Sequence, residues 1–118
     1  MAINLSTLVN TTVPSQLATA WVNYNGVSGS IRNYYNVSSV TKIGTGHYRI
    51  NFSSALLDGN YVFSGTASPY GAETSGSTVR PYSTSSITSS SFQVQIYGNT
   101  TTPIDSDYVG VVVFGNWY

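Results

Sequence analysis

Apolar and polar residues alternate with a period of two through much of the chain. From His47 to Phe52 the apolar residues Tyr48, Ile50 and Phe52 are separated by His47, Arg49 and Asn51, and Phe92, Val94 and Ile96 alternate in the same way with Gln93, Gln95 and Tyr97. Successive side chains of a strand point to opposite faces, so each segment predicts a strand with one side on a core. The run Tyr108 to Phe114 is apolar almost throughout. It predicts a central strand, buried either on both faces by its own fold or on one face by the core and on the other by a neighbouring subunit.

Turn signals punctuate these runs. Ile43-Gly44-Thr45-Gly46 joins Val37–Lys42 to His47–Phe52 as a hairpin, and Asp58-Gly59-Asn60 leads into Tyr61–Ser68. A turn about every 8 to 12 residues predicts an all-β fold, an antiparallel β-sandwich of jelly-roll or Ig-like type with about eight strands. The expected core comprises Trp21, Tyr48, Ile50, Phe52, Val62, Phe92, Val94, Ile96, Val111 and Val113, with Tyr61 also in core register. The first 19 residues lack a periodic apolar face and are rich in Ser, Thr and Asn, so residues 1–19 read as an extended N-terminal arm, with room for a turn of helix after Pro14, and 20–118 as the sandwich. Thr74 to Ser91 is dense in Ser and Thr and predicts a long loop or weakly patterned strands at one end.

Composition sharpens this picture. Only 7% of the 118 residues are charged, the formal net charge is zero, and 19 Ser, 14 Thr and 10 Asn build the wetted surface from hydroxyls and amides. Phosphate neutralisation needs clustered cations, and Arg32, Lys42, Arg49 and Arg80 do not supply them, which argues against nucleic acid and against anionic membranes. The absence of Cys removes disulfides, thiolate metal sites and thiol catalysis. Met1 to Val9 has neither the basic nor the apolar region of a signal peptide, and no apolar run is long enough to span a bilayer, so no membrane insertion is expected.

Catalytic chemistry finds little to work with. His47 is the only imidazole and falls on the polar side of its strand, which reads as a surface or interface histidine. Asp105-Ser106-Asp107 could offer two carboxylates to a weak calcium site with Asn116, but reads better as a polar turn before the last strand. Glycoside hydrolysis needs two acids across one cleft, and Asp58 and Glu73 fall in a turn and a loop. No catalytic residue, metal site or cofactor is expected.

Ten Tyr and two Trp remain. Each offers a flat apolar face with a polar tip, suited to sugar rings and to wet protein interfaces. Tyr70 and Tyr82 flank the Ser/Thr-rich stretch and Arg80 lies beside them, which makes Tyr70, Arg80 and Tyr82 the candidate ligand-binding residues.

AWVNYNG at Ala20 to Gly26, Ile31-Arg32, YNVSSVT at Tyr35 to Thr41, GTGHYRINF at Gly44 to Phe52 and LLDGNYVFSGTAS at Leu56 to Ser68 resemble a module of tailed-bacteriophage virion proteins. That module recurs in tail fibres and related surface proteins, often of marine and cyanobacterial phages. The resemblance covers about half of the chain and fades after Pro69. It implies a non-enzymatic, trimeric β-sandwich on the virion surface. The leading expectation is therefore a host-attachment module presenting Tyr70, Arg80 and Tyr82 to a host cell-surface glycan. The alternative is a capsid or tail decoration protein whose arm inserts among other phage virion proteins; the arm and the short length support it. A glycan-degrading enzyme is the third reading, and it lacks an acid/base pair.

Overall fold

The computed structural model describes residues 17–69, 77–98 and 102–116. Eight strands form two four-stranded antiparallel sheets. They are β1 (Ala18–Tyr24), β2 (Ile31–Tyr35), β3 (Val37–Gly44), β4 (His47–Phe52), β5 (Val62–Ala67), β6 (Thr78–Pro81), β7 (Ser91–Tyr97) and β8 (Val109–Phe114). Sheet A has the order β2-β1-β8-β5 and sheet B the order β3-β4-β7-β6. The expected all-β sandwich is present, and β3 and β4 form the expected hairpin.

Sheet B follows the alternation in the sequence. Tyr48, Ile50 and Phe52 of β4 and Phe92, Val94 and Ile96 of β7 are buried, and β4 pairs with β7 so that Tyr48 faces Val94 and Ile50 faces Phe92. From sheet A come Ala20, Val22 and Tyr24 of β1 and Val109, Val111 and Val113 of β8. Each fully buried Val, Ile or Phe among them contributes about 1.5–3 kcal/mol. Aromatic rings join the two layers. Phe63 stacks on Phe92 with centroids 4.5 Å apart, and Phe52 and Tyr61 close the cluster at 5.6 and 6.0 Å from Phe92.

Two core expectations are corrected. Val62 is 66% exposed, because β5 pairs with β8 through Phe63↔Val113, Gly65↔Val111 and Ala67↔Val109, which turns Phe63 inward and Val62 outward. A one-residue change of phase exchanges the two faces of a strand. Trp21 is only half-buried on the outer face of β1, since Ala20, Val22 and Tyr24 take the inward positions. The strand also begins earlier than the expected arm boundary. Ala18 and Thr19 belong to β1, and the buried Thr19 hydroxyl donates to the Val113 carbonyl at 3.2 Å. Residues 1–16, with the turn expected after Pro14, lie outside the described residues.

Asn36 turns the chain from sheet A into sheet B at a backbone φ of 54°, a left-handed conformation that Asn tolerates better than most residues. Its side chain pins the corner. The amide donates to the carbonyls of Thr19 and Ser54 at 3.2 Å, and its oxygen accepts the Ser54 N–H at 2.8 Å. On the opposite side β5 approaches β6 through a bridge between Ala67 and Ser77. The stretch expected as loop or weak strand resolves, within its described part, into β6 and a 3-10 turn at Thr84–Ser86.

Candidate functional site

The outward side chains of sheet B form a polar face, and two of the three candidate residues lie on it. Arg80 pairs with Gln95 in the β6–β7 ladder, and Gln95 pairs with His47 in the β7–β4 ladder, so Arg80, Gln95 and His47 form one row across three strands. Gln93 and Arg49 continue the face in the next row. Tyr82 follows β6, held by its N–H to the Gln93 carbonyl at 2.9 Å, and is 49% exposed. Tyr70 lies outside the described residues.

Mutual contacts set these side chains in place. The Tyr82 ring stacks on His47 with centroids 4.0 Å apart and planes 13° from parallel. His47 Nε2 lies 2.8 Å from Gln93 Oε1, an acceptor that requires the proton on Nε2. The Arg80 guanidinium sits 4.5 Å from the centre of the Tyr97 ring, whose hydroxyl donates to Gln95 Oε1 at 2.9 Å. Arg49 Nε donates to Asn51 Oδ1, and the Asn51 amide donates to the hydroxyls of Ser39 at 3.0 Å and Thr41 at 3.2 Å. The result is an ordered plane of rings, amides and guanidinium groups. A stacked Tyr keeps its second face for a ligand ring, and fixed amides and guanidinium groups donate to hydroxyl, carbonyl or carboxylate oxygens.

The described acids lie elsewhere. Asp58 accepts the Asn60 N–H in its own turn. Asp105 forms an ion pair with Lys42 at 2.7 Å and accepts the Gly46 N–H at 2.8 Å, while the Tyr48 hydroxyl lies 3.0 Å away. Burial alone would raise the Asp105 pKa. The hydrogen bonds from Lys42, Gly46 and Tyr48, with the Lys42 charge, outweigh that and hold it below the ordinary value. Gly46 is the residue this clamp requires: its φ is +64°, and a Cβ there would sit 2.6 Å from the Ile104 carbonyl oxygen. Asp107 turns to another loop and accepts the Ser68 hydroxyl at 2.7 Å. The tract therefore ties loops together, with its two carboxylates on different partners. Among the described residues no group of three or more His, Cys, Asp or Glu could hold a metal ion.

His47, Gln93, Gln95 and Tyr97 join Arg80 and Tyr82 on this face, and sequence reasoning did not single them out as a site. Their outward phase is legible in the alternation of β4 and β7. The pairing of the short strand β6 with β7, which delivers Arg80 and Tyr82 to them, has no sequence signal beyond Thr78-Val79-Arg80-Pro81.

A second surface lies on the outside of sheet A, where Trp21 and Asn23 of β1, Tyr108 before β8, Gly110 and Val112 of β8, and Ser64 and Thr66 of β5 line an open groove of about 400 Å³. Compared with protein-family models, curated proteins and solved structures, the chain matches none.

Proposed function

We propose that the chain is a non-enzymatic recognition module of a tailed-phage virion, a tail-fibre-like host-attachment domain that takes a neutral or weakly anionic cell-surface glycan on the polar face of sheet B. The observation that carries this reading is the ring, amide and guanidinium plane built by His47, Tyr82, Gln93, Gln95, Arg80 and Tyr97. Such a plane offers stacking to the apolar face of a sugar and directed donors to its oxygens. Among the described residues Arg49 and Arg80 share this face with no Asp or Glu, which favours uronate, sialate or phosphate substituents over cationic ones.

Trimerisation belongs to the same reading and would multiply a weak single-site affinity. Among the described residues β2 and β5 are the outer strands of sheet A, and each carries an exposed apolar side chain, Tyr34 on β2 and Val62 on β5, the latter paired with Phe114. Two different patches on one subunit meet head to tail, and such contacts make a ring when the rotation between successive copies closes. In this proposal the β2 edge of each copy meets the β5 edge of the next, on the virion surface and among other phage virion proteins.

The test is a panel of immobilised bacterial surface polysaccharides probed with the wild-type protein and with Tyr82→Ala. Saturable binding that weakens at least tenfold in the variant, with an unchanged circular dichroism spectrum, supports the reading. Binding to purified phage capsids with no polysaccharide bound would replace it with the decoration-protein reading.

A further inference from the structure

We infer that the groove on the outer face of sheet A is a second ligand site, built for an uncharged pyranose. It lies on the sheet opposite the polar face and does not rest on the reading of that face.

The groove exists because of one residue in the central strand. In the cross-strand row Asn23, Gly110 and Thr66, the middle position carries no side chain, whereas the next row places Val112 between Trp21 and Ser64. With no Cβ at Gly110 the Tyr108 ring lies down along the sheet: a Cβ built there would sit 3.3 Å from the Tyr108 hydroxyl oxygen, 3.6 Å from its ring and 3.7 Å from the Thr66 hydroxyl. Tyr108, 44% exposed, and Trp21 both line this shallow trough and give it two aromatic rings.

The chemistry of the lining points to a sugar. None of the lining residues is charged. The nearest cation, Arg32, is committed to the Asp107 carbonyl and to Asn23 Oδ1, with its guanidinium 6.0 Å from the centre of the Tyr108 ring. That contact leaves the Asn23 NH2 to donate outward, and the hydroxyls of Ser64 and Thr66 make no hydrogen bond to the described residues. Aromatic faces with a few convergent neutral donors and acceptors match a pyranose, which has an apolar C–H face and an equatorial rim of hydroxyls.

The size suits a small ligand: a volume of about 400 Å³ falls within the roughly 300–1,000 Å³ of small-ligand sites.

The test titrates the whole protein with methyl β-glucopyranoside, methyl β-galactopyranoside and methyl α-mannopyranoside, read by saturation-transfer NMR. Wild type is expected to bind at least one of them saturably in the millimolar range. Tyr108→Ala is expected to weaken that binding at least tenfold. Gly110→Val fills the trough against a movable ring and is expected to abolish it, while Tyr82→Ala leaves it unchanged. Should Gly110→Val fail to fold, Tyr108→Ala decides alone, because Tyr108 lies outside the core. The inference is overturned if none of the three glycosides binds, if Tyr108→Ala binds as wild type does, or if light scattering shows an oligomer that Gly110→Val disperses.

Discussion

Replacing Phe92 by Ala removes the ring on which the two sheets meet. Phe92 is fully buried in β7, stacked on Phe63 of β5 at 4.5 Å and in contact with Phe52 and Tyr61. Returning a fully buried ring to water costs about 3 kcal/mol. Losing its ring contacts adds about 1 kcal/mol, and the total of about 4 kcal/mol sits in the middle of the range for Phe→Ala in cores. At about 2.1 cal/mol/K of unfolding entropy per residue, the melting temperature of a chain this size falls by about 15–20 °C. Thermal unfolding followed by near-ultraviolet circular dichroism measures it, with Leu57→Ala as control. Leu57 is 55% exposed, so its truncation should cost about 0.5 kcal/mol or less. A Phe92→Ala loss below about 1.5 kcal/mol, or a Leu57→Ala loss comparable with it, would refute the place of these rings in the core.

Asp105→Ala should cost about 1–3 kcal/mol, because it leaves the Gly46 N–H without its acceptor and removes the carboxylate paired with Lys42, while Lys42 and the Tyr48 hydroxyl keep the Gly26 carbonyl; urea denaturation at pH 7 checks it, and a change under about 0.5 kcal/mol would contradict the clamp. The same carboxylate makes stability pH-dependent. Its folded pKa lies below the ordinary 3.8, so its contribution is complete above about pH 5 and is lost as pH falls through 3.8 towards the folded value. Wild type should therefore lose more stability than Asp105→Ala between pH 5 and pH 3, and parallel pH profiles would contradict this. Light scattering of the wild type should give three times the 12.6 kDa mass of one chain, and Tyr34→Ser with Val62→Ser should reduce it to one; a wild-type monomer at micromolar concentration would remove the edge-to-edge ring.

Where the physics is local, the fold could be read from the residues. The alternation of β4 and β7, with the Gly-rich turn at Gly44 to Gly46, specifies strands, hairpin and buried face together. Phase was harder where both faces of a strand carry apolar residues. In Val62-Phe63-Ser64-Gly65-Thr66-Ala67 either set can turn inward, and only the pairing of Phe63 with Val113 and its stacking on Phe92 decide. In β1 the large Trp21 attracts the core assignment, although Ala20, smaller and fully buried, holds the inward position beside Val22 and Tyr24. Contacts between distant segments left no trace in the order of residues. Asn36 reads as one more of the ten Asn until its left-handed φ and its bonds to Thr19 and Ser54 show it to be the corner between the sheets. Lys42 and Asp105 are 63 positions apart. Of the polar face, Arg80 and Tyr82 could be chosen by residue type, but His47 joins them only because β6, β7 and β4 lie side by side.

Glycan recognition by the polar face of sheet B is measured most directly by the binding of fluorescently labelled wild-type protein and Tyr82→Ala to intact cells of a panel of bacterial strains, before and after periodate oxidation of their surface glycans. Saturable binding to a subset of strains, abolished by periodate and weakened at least tenfold by Tyr82→Ala at unchanged melting temperature, is the predicted result. Binding that persists after periodate and is indifferent to Tyr82, or a failure to bind any strain, would contradict glycan recognition by the polar face of sheet B.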